Sequence, residues 1–233
     1  MQFVGLSDIG LCRQRNEDAW YVDTERGLFV ICDGMGGHSG GNVASALAVE
    51  VVRDKLVLPE LPEQIADELE NAVRLANNRI WSAAQLDETL LEMGTTITTA
   101  VIVQDTAYIA HVGDSSLYLV RGKDIIKLTQ DHTMADEMRR DGLMRGEEDR
   151  YRHILTRALG IDPVVEIDSF NYKLVPQDIL LFCTDGLGGV LSAKEIYQHI
   201  RDSKNLEGAA QALLEAALAQ DGSDNVTIVL VMI

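Results

Sequence analysis

Cys32-Asp33-Gly34-Met35-Gly36-Gly37-His38-Ser39-Gly40-Gly41 follows directly on an apolar run, Leu28-Phe29-Val30-Ile31. The run reads as a buried strand. From Asp33 to Gly41 there are five glycines among nine residues, with one acid and one histidine. A helical pattern then begins, with Val43, Leu47 and Val51 on one face and Ala44, Ala48 and Val52 beside them. A carboxylate therefore stands where a strand ends, on a turn with little side-chain bulk. Glycine there permits positive φ and close approach to the backbone. A carboxylate beside bare carbonyls suits a hard cation such as Mg2+ or Mn2+. Taken alone, the stretch is equally a plain flexible loop. It is not a Walker phosphate loop, because the Lys-Ser/Thr pair is absent and Asp33 would repel a phosphate unless a metal lay between.

The same grammar recurs. Ile179-Leu180-Leu181-Phe182-Cys183-Thr184-Asp185-Gly186 is again an apolar strand running into Asp-Gly, and Asp224-Asn225 opens the terminal strand Val226–Val231. Val112-Gly113-Asp114-Ser115 puts a further Asp after a Gly at a strand boundary. In an antiparallel sheet the start of one strand lies beside the end of its neighbour, so Asp33, Asp185 and Asp224 are expected to meet at one edge, with Asp114 joining them.

Around these points the chain reads as a first strand, Phe3–Ser7, then a hairpin of Ala19–Val22 and Leu28–Cys32. Arg13, Arg15, Glu17 and Asp18 crowd its start, and pairing of the two strands would bring Glu17 and Asp18 near Asp33. Two long helices follow, the second over Pro62–Ala84 with Ile65, Leu69, Val73, Ala76 and Ile80 as its apolar stripe. The period then switches to strands at Thr95–Val103, Thr106–Val112, Ser115–Val120 and Ile125–Leu128. Strands in direct succession predict an antiparallel meander rather than βαβ units. Asp131 to Gly160 is charged and irregular, with Asp131-His132-Thr133 capping a short helix, and the part at about 131–152 reads as a flap inserted in the domain. Helices around Lys194–Ile200 and Leu206–Ala219 precede the last strand.

The 233 residues show no long shift in composition, so one domain, 1–233, is expected. The net charge of −17 argues against nucleic acid as a partner. No apolar run approaches the ~20 residues of a membrane span, and the start Met1-Gln2-Phe3-Val4-Gly5 lacks a signal peptide's basic and apolar regions, so a cytoplasmic protein is expected. Cys12, Cys32 and Cys183 have neither a disulfide nor a zinc spacing.

Three or four carboxylates meeting at one point cannot all stay ionised without cations. Oxygen-only ligation favours Mg2+ or Mn2+ over structural zinc. Two such ions roughly 3.5–4 Å apart share a water, lower its pKa and clamp a phosphoryl group for in-line displacement. An Arg holds phosphate oxygens in a fork and a His protonates a departing alkoxide, for which Arg13 and His38 are the candidates.

Arg13 to Asp18, Asp33-Gly34-Met35-Gly36-Gly37-His38, Met93-Gly94-Thr95-Thr96, Val112-Gly113-Asp114-Ser115, Leu155 to Gly160, Thr184-Asp185-Gly186-Leu187 and Asp224-Asn225 together resemble the metal-dependent Ser/Thr protein phosphatases, the PPM or type 2C family, in order and over nearly the whole chain. The likeness is to the short bacterial members that are a bare catalytic domain. The resemblance implies an α+β fold, a four-layer α-β-β-α sandwich with two antiparallel sheets flanked by helices. It implies two Mg2+ or Mn2+ ions and a possible third. Asp33 would bridge the two, Gly34 would give its carbonyl to one, and Asp185 and Asp224 would bind the other. Glu17 and Asp18 would act through bound waters. Asp114, with Asp185, would serve the third site, Arg13 would bind phosphate, and His38 would be the general acid. The implied activity is hydrolysis of phosphoserine and phosphothreonine in proteins by a water or hydroxide between two metals. Phosphoprotein substrates, an opposing Ser/Thr kinase and a monomeric state are expected with it. The one departure is Ser116, where the family usually has Arg. The alternatives are another two-metal phosphohydrolase such as a nuclease, which the acidic balance opposes, and a non-catalytic metal-binding regulatory module. The module would predict loss of Asp33, Asp185 or Asp224, and all three are present.

Overall fold

A computed structural model describes residues 1–36, 40–143 and 150–233. The apolar runs form strands as read: β1 (Gln2–Asp8), β2 (Asp18–Asp23), β3 (Leu28–Met35), then, after two helices, β4 (Gly94–Thr95), β5 (Ile97–Val103), β6 (Thr106–Val112), β7 (Ser116–Arg121) and β8 (Asp124–Lys127). β9 (Asp168–Lys173), β10 (Ile179–Cys183) and β11 (Val226–Met232) complete the set. The helices are α1 (Gly40–Lys55), α2 (Ile65–Leu86), α3 (Met134–Arg140), α4 (Asp185–Gly188), α5 (Ala193–Asp202) and α6 (Leu206–Gln220). Local chemistry sets their ends. A 3-10 turn over Pro62–Gln64 leads into α2. Thr133 accepts from the Asp136 amide at the start of α3, and Ser192 and Glu195 form a reciprocal capping box on α5.

Two antiparallel sheets result, one in the order β1-β11-β10-β7-β8 and the other β2-β3-β5-β6-β9, with β4 paired to β3. Helices α1 and α2 lie on the second sheet, burying Ala44, Ala48, Val52, Leu69, Val73, Ala76 and Ile80 against Val30, Ile97 and Val101. Helices α5 and α6 cover the first sheet, where Ile196, Leu213 and Ala217 meet Leu181, Ile228 and Leu230. Between the sheets, Phe29, Ile109, Leu117, Leu119, Phe182 and Val229 form a third apolar layer, with the Phe29 and Phe182 rings stacked at 5.9 Å. Strands buried on both faces explain the continuous apolar runs. This is the expected α+β, four-layer α-β-β-α arrangement.

Two expectations need correction. The four strands read as one meander divide between the sheets: β5 pairs β6 in one, β7 pairs β8 in the other, and β6 lies beside β9 instead of β7. Strand succession cannot separate a hairpin from a crossing between layers, because both present apolar strands and short turns. Gly113, at φ +107°, turns the chain from one sheet to the other; a Cβ there would stand 2.5 Å from Thr96 Cγ2. Nor do the acids share the edge of one sheet. Asp33 belongs to β3, whereas Asp185 and Asp224 flank β10 and β11 of the opposite sheet. They meet because the sandwich brings the ends of both sheets together.

Candidate active site

The β2–β3 register sets Asp18 directly opposite Asp33. Across the sandwich, β10 runs antiparallel to β11, so Asp185 just beyond the end of one lies beside Asp224 just before the start of the other. Asp114 arrives on the crossing between β6 and β7. Asp33, Asp114, Asp185 and Asp224, with Arg13, Glu17, Gly34, Thr96 and His153, line one cavity of about 560 Å3. The structure therefore assembles Arg13, Glu17, Asp33, Gly34, Asp114, Asp185 and Asp224 in one cleft. Asp18 stands immediately behind. His38 lies outside the described residues.

Hydroxyls and amides hold the acids in place. The Asp33 amide donates to Thr96 Oγ1 at 2.9 Å, and its carbonyl accepts from Thr95 Oγ1 at 2.8 Å and the Thr96 amide at 2.9 Å. Thr96 Oγ1 in turn lies 2.7 Å from Ser115 Oγ, which ties Asp33 to the Asp114 turn. Asp18 spans the two sheets: its Oδ2 accepts from Thr184 Oγ1 at 2.9 Å and Thr227 Oγ1 at 2.6 Å. Gly34 sits where a Cβ would meet Gly41 O at 2.2 Å and Glu17 O at 2.5 Å, so the backbone there is bare by necessity. Asn225 stitches the Arg13 segment to β11. Its Nδ2 donates to Ile9 O at 2.9 Å and Arg15 O at 3.0 Å, and its Oδ1 accepts from the Glu17 amide at 2.8 Å. Asn225→Ala would strand these backbone groups and is expected to cost on the order of 3 kcal/mol in a denaturant unfolding measurement. A change under about 0.5 kcal/mol would show that water replaces the amide.

The electrostatics are those of a crowded carboxylate set. Each acid is half-buried, and desolvation leads the shifts of Glu17, Asp18, Asp33, Asp114 and Asp185. Burial pushes Asp33 well above the usual carboxylate range, with Asp18 and Asp185 pushing the same way. Burial lifts Asp18 to about 7 against the pull of Thr227 and Thr184, and lifts Asp114 to about 8 with help from Asp185. Asp185 is raised by burial and then by Asp224, with the neighbouring Asp33 carboxyl, His153 and Arg13 pulling the other way. Without cations the set shares protons as a unit. Arg13 Nη2 donates to Asp224 Oδ2 at 2.6 Å, and this bond is what chiefly raises the Arg13 pKa.

The donor set fits a hard cation. Among the described residues the buried side-chain oxygens without any hydrogen-bond partner are Asp18 Oδ1 and Asp185 Oδ1, both in this cluster. An unpaired buried carboxylate oxygen is costly and calls for a positive partner. No three His, Cys, Asp or Glu side chains among the described residues stand as a ready-made metal cage. The set suits an ion that keeps several waters and accepts a backbone carbonyl, as Mg2+ does.

Some of this was invisible in sequence. Thr227 reads only as one residue of the last strand, and its role appears once β11 lies beside Asp18. His153 lines the cleft but sits in a charged stretch with no periodicity to single it out.

Comparison with known proteins agrees with this geometry. The protein phosphatase 2C family profile matches residues 4–226. The serine/threonine phosphatase stp of Listeria innocua is 33% identical over 235 residues, covering 97% of this chain and 93% of its own length. Protein phosphatase PhpP of Streptococcus pneumoniae is 30% identical over 99% of this chain and 97% of its own. Among solved structures, the catalytic domain of the serine threonine protein phosphatase PstP, in complex with 2 manganese ions, superposes with a TM-score of 0.87 at 32% identity, covering 98% of this chain and 96% of that one. The chain belongs to the protein phosphatase 2C family and is an enzyme of that class, a serine/threonine protein phosphatase.

Proposed function

We propose that the chain dephosphorylates phosphoserine and phosphothreonine in proteins with two Mg2+ or Mn2+ ions, opposing a Ser/Thr kinase. The observation that carries this reading is the set of half-buried acids from two sheets, two of them with unpaired oxygens, converging on one open cleft. The manganese bound in PstP supports the same choice of ion for this chain. Asp33, the Gly34 carbonyl, Asp185 and Asp224 would hold the two ions, Glu17 and Asp18 would take water ligands, and Asp114 with Asp185 would serve a third. When bound, the ions supply Lewis acidity toward phosphoryl oxygens and lower the pKa of water.

The protein's own groups do the rest. Arg13 is half-exposed at the cavity wall, so its guanidinium can swing from Asp224 to the phosphate oxygens and hold them bidentately. His38 is assigned as the proton donor to the departing alkoxide. Asp18 stays fixed by two threonine hydroxyls and orients what Asp33 binds. The flap of a single domain is assigned to residues 131–152, of which 144–149 lie outside the described residues, and His153, Ile154 and Leu155 just after it line the cleft. The enzyme is assigned as a cytoplasmic monomer. Its cysteines are free, and among the described residues no helix is long and apolar enough to cross a membrane.

Hydrolysis of a phosphothreonine peptide with Mn2+ and with EDTA tests the proposal. Turnover that requires the ion is expected. Folded protein that cleaves neither the peptide nor an aryl phosphate in Mn2+ would instead be a non-catalytic regulatory module.

A further inference from the structure

His132 is a buried histidine that the reading above does not use, with a side chain only 4% exposed. It touches three parts of the molecule at once. Its amide donates to Gly113 O at 2.8 Å, and the Gly113 amide donates back to His132 Nδ1 at 3.0 Å. Its carbonyl accepts from the Thr156 amide at 2.8 Å, where the chain returns from the flap. Its Nε2 lies 3.2 Å from Asp168 Oδ2 on β9. The Gly113–His132 pair is therefore reciprocal, and Gly113 directly precedes Asp114.

The partners decide where the ring proton sits. A main-chain amide can only donate, so Nδ1 must be the bare acceptor and Nε2 must carry the proton. That proton points to Asp168, whose Oδ1 is taken by Arg157 Nη1 at 2.9 Å. Arg157 Nη1 also stands 3.3 Å from Nε2, but with both nitrogens protonated this is a contact between two donors converging on one carboxylate. Burial lowers the His132 pKa, which keeps the ring neutral, and Asp168 opposes the shift only in part. His111 packs its ring against this one, with centroids 4.9 Å apart.

We propose that His132 is a positioning residue: its Nε2–H tautomer offers Nδ1 to the Gly113 amide and so fixes the turn that carries Asp114 into the cleft. This rests on the proposed reading of Asp114 as a cation ligand. From the other side, Ser115 is held by Thr96. Without the Nδ1 acceptor, the Gly113 amide would be buried and unpaired, and on this side only the His132 amide bond to Gly113 O would still hold the crossing from β6 to β7.

Two substitutions separate this from a merely structural role. His132→Asn sets Oδ1 where Nδ1 stands and keeps an acceptor for Gly113, but loses Asp168. His132→Gln reaches toward Asp168 and leaves Gly113 unmet. Nitrogen-15 NMR of histidine-labelled, metal-free wild type should show His132 as the Nε2–H tautomer; an Nδ1–H form or an imidazolium at neutral pH overturns the assignment. Hydrogen exchange at the Gly113 amide should stay slow in wild type and His132→Asn and become fast in His132→Gln. Calorimetric Mn2+ titration should show His132→Gln weakened roughly 10-fold and His132→Asn within about twofold of wild type, the scale expected for groups that orient metal ligands. Equal behaviour of the two variants in exchange and titration overturns the proposal. Wild type that takes up no Mn2+ would sink the metal reading instead, and the NMR and exchange results would still decide the role of His132.

Discussion

Asp33→Asn is expected to abolish metal-dependent turnover and, in EDTA, to make the protein more stable. The two effects have one cause. Asp33 faces Asp18 across the β2–β3 ladder and lies close enough to Asp185 to feel its charge, in surroundings that disfavour its own. Asparagine keeps the shape and leaves the backbone anchors from Thr95 and Thr96 untouched. It removes the anionic ligand on which both ions would depend. Loss of several kcal/mol of charge stabilisation in the transition state corresponds to a fall of about 10^3 or more in turnover. In the metal-free protein the same change relieves a destabilising carboxylate. A gain of at least about 1 kcal/mol is expected, or roughly 2–4 °C in Tm for a chain of this size. Active sites commonly trade stability for function in this way. Peptide turnover and thermal unfolding, each with EDTA and with Mn2+, are the measurements. Retained turnover would move the bridging role off Asp33. A fall in the EDTA Tm would mean the carboxylate is structural.

The second large effect is on the pH dependence of stability without metal. Asp18 and Asp114 titrate in the folded protein at about 7 and about 8, and Asp33 and Asp185 are also raised. An unfolded Asp titrates near ~3.9. Between these values the folded state binds more protons than the unfolded state, so stability falls as pH rises. The contribution is fully present below about pH 4 and is lost as pH climbs through about 8. Acids with lowered values, such as Asp168 and Asp178, work in the opposite sense, but their stability is lost only as pH falls below the ordinary carboxylate range. Buried His111 and His132, whose values are lowered, oppose this trend up to the ordinary imidazole value of ~6.5, so Tm in EDTA should decline from about pH 7 to pH 8, and saturating Mn2+ should flatten the slope because it binds the ionised form. Asp114→Asn should reduce the EDTA slope. A metal-free Tm that rises over this range would show that the acids do not crowd one another as the structure places them.

The local elements and the identity of the acids were legible in sequence because both are short-range properties. An apolar run ending in Asp-Gly marks Asp33 and Asp185 whatever lies around them, and the stripe Ile65-Leu69-Val73-Ala76-Ile80 marks α2 by its period alone. β9 escaped because Asp168–Lys173 is an edge strand with alternate residues exposed and no apolar run. The acids' common destination was only partly legible. Strand pairing predicts that Asp224 meets Asp185, and Asp18 meets Asp33, but not that the two pairs belong to different sheets. That required the sandwich to close over Phe29, Leu117 and Phe182, which depends on how whole layers pack. The same closure alone sets Thr227 beside Asp18 and His132 against Gly113, contacts between residues 209 and 19 positions apart in the chain. Side-chain type and period determined which residues carry the chemistry; the stacking of two sheets decided which of them touch.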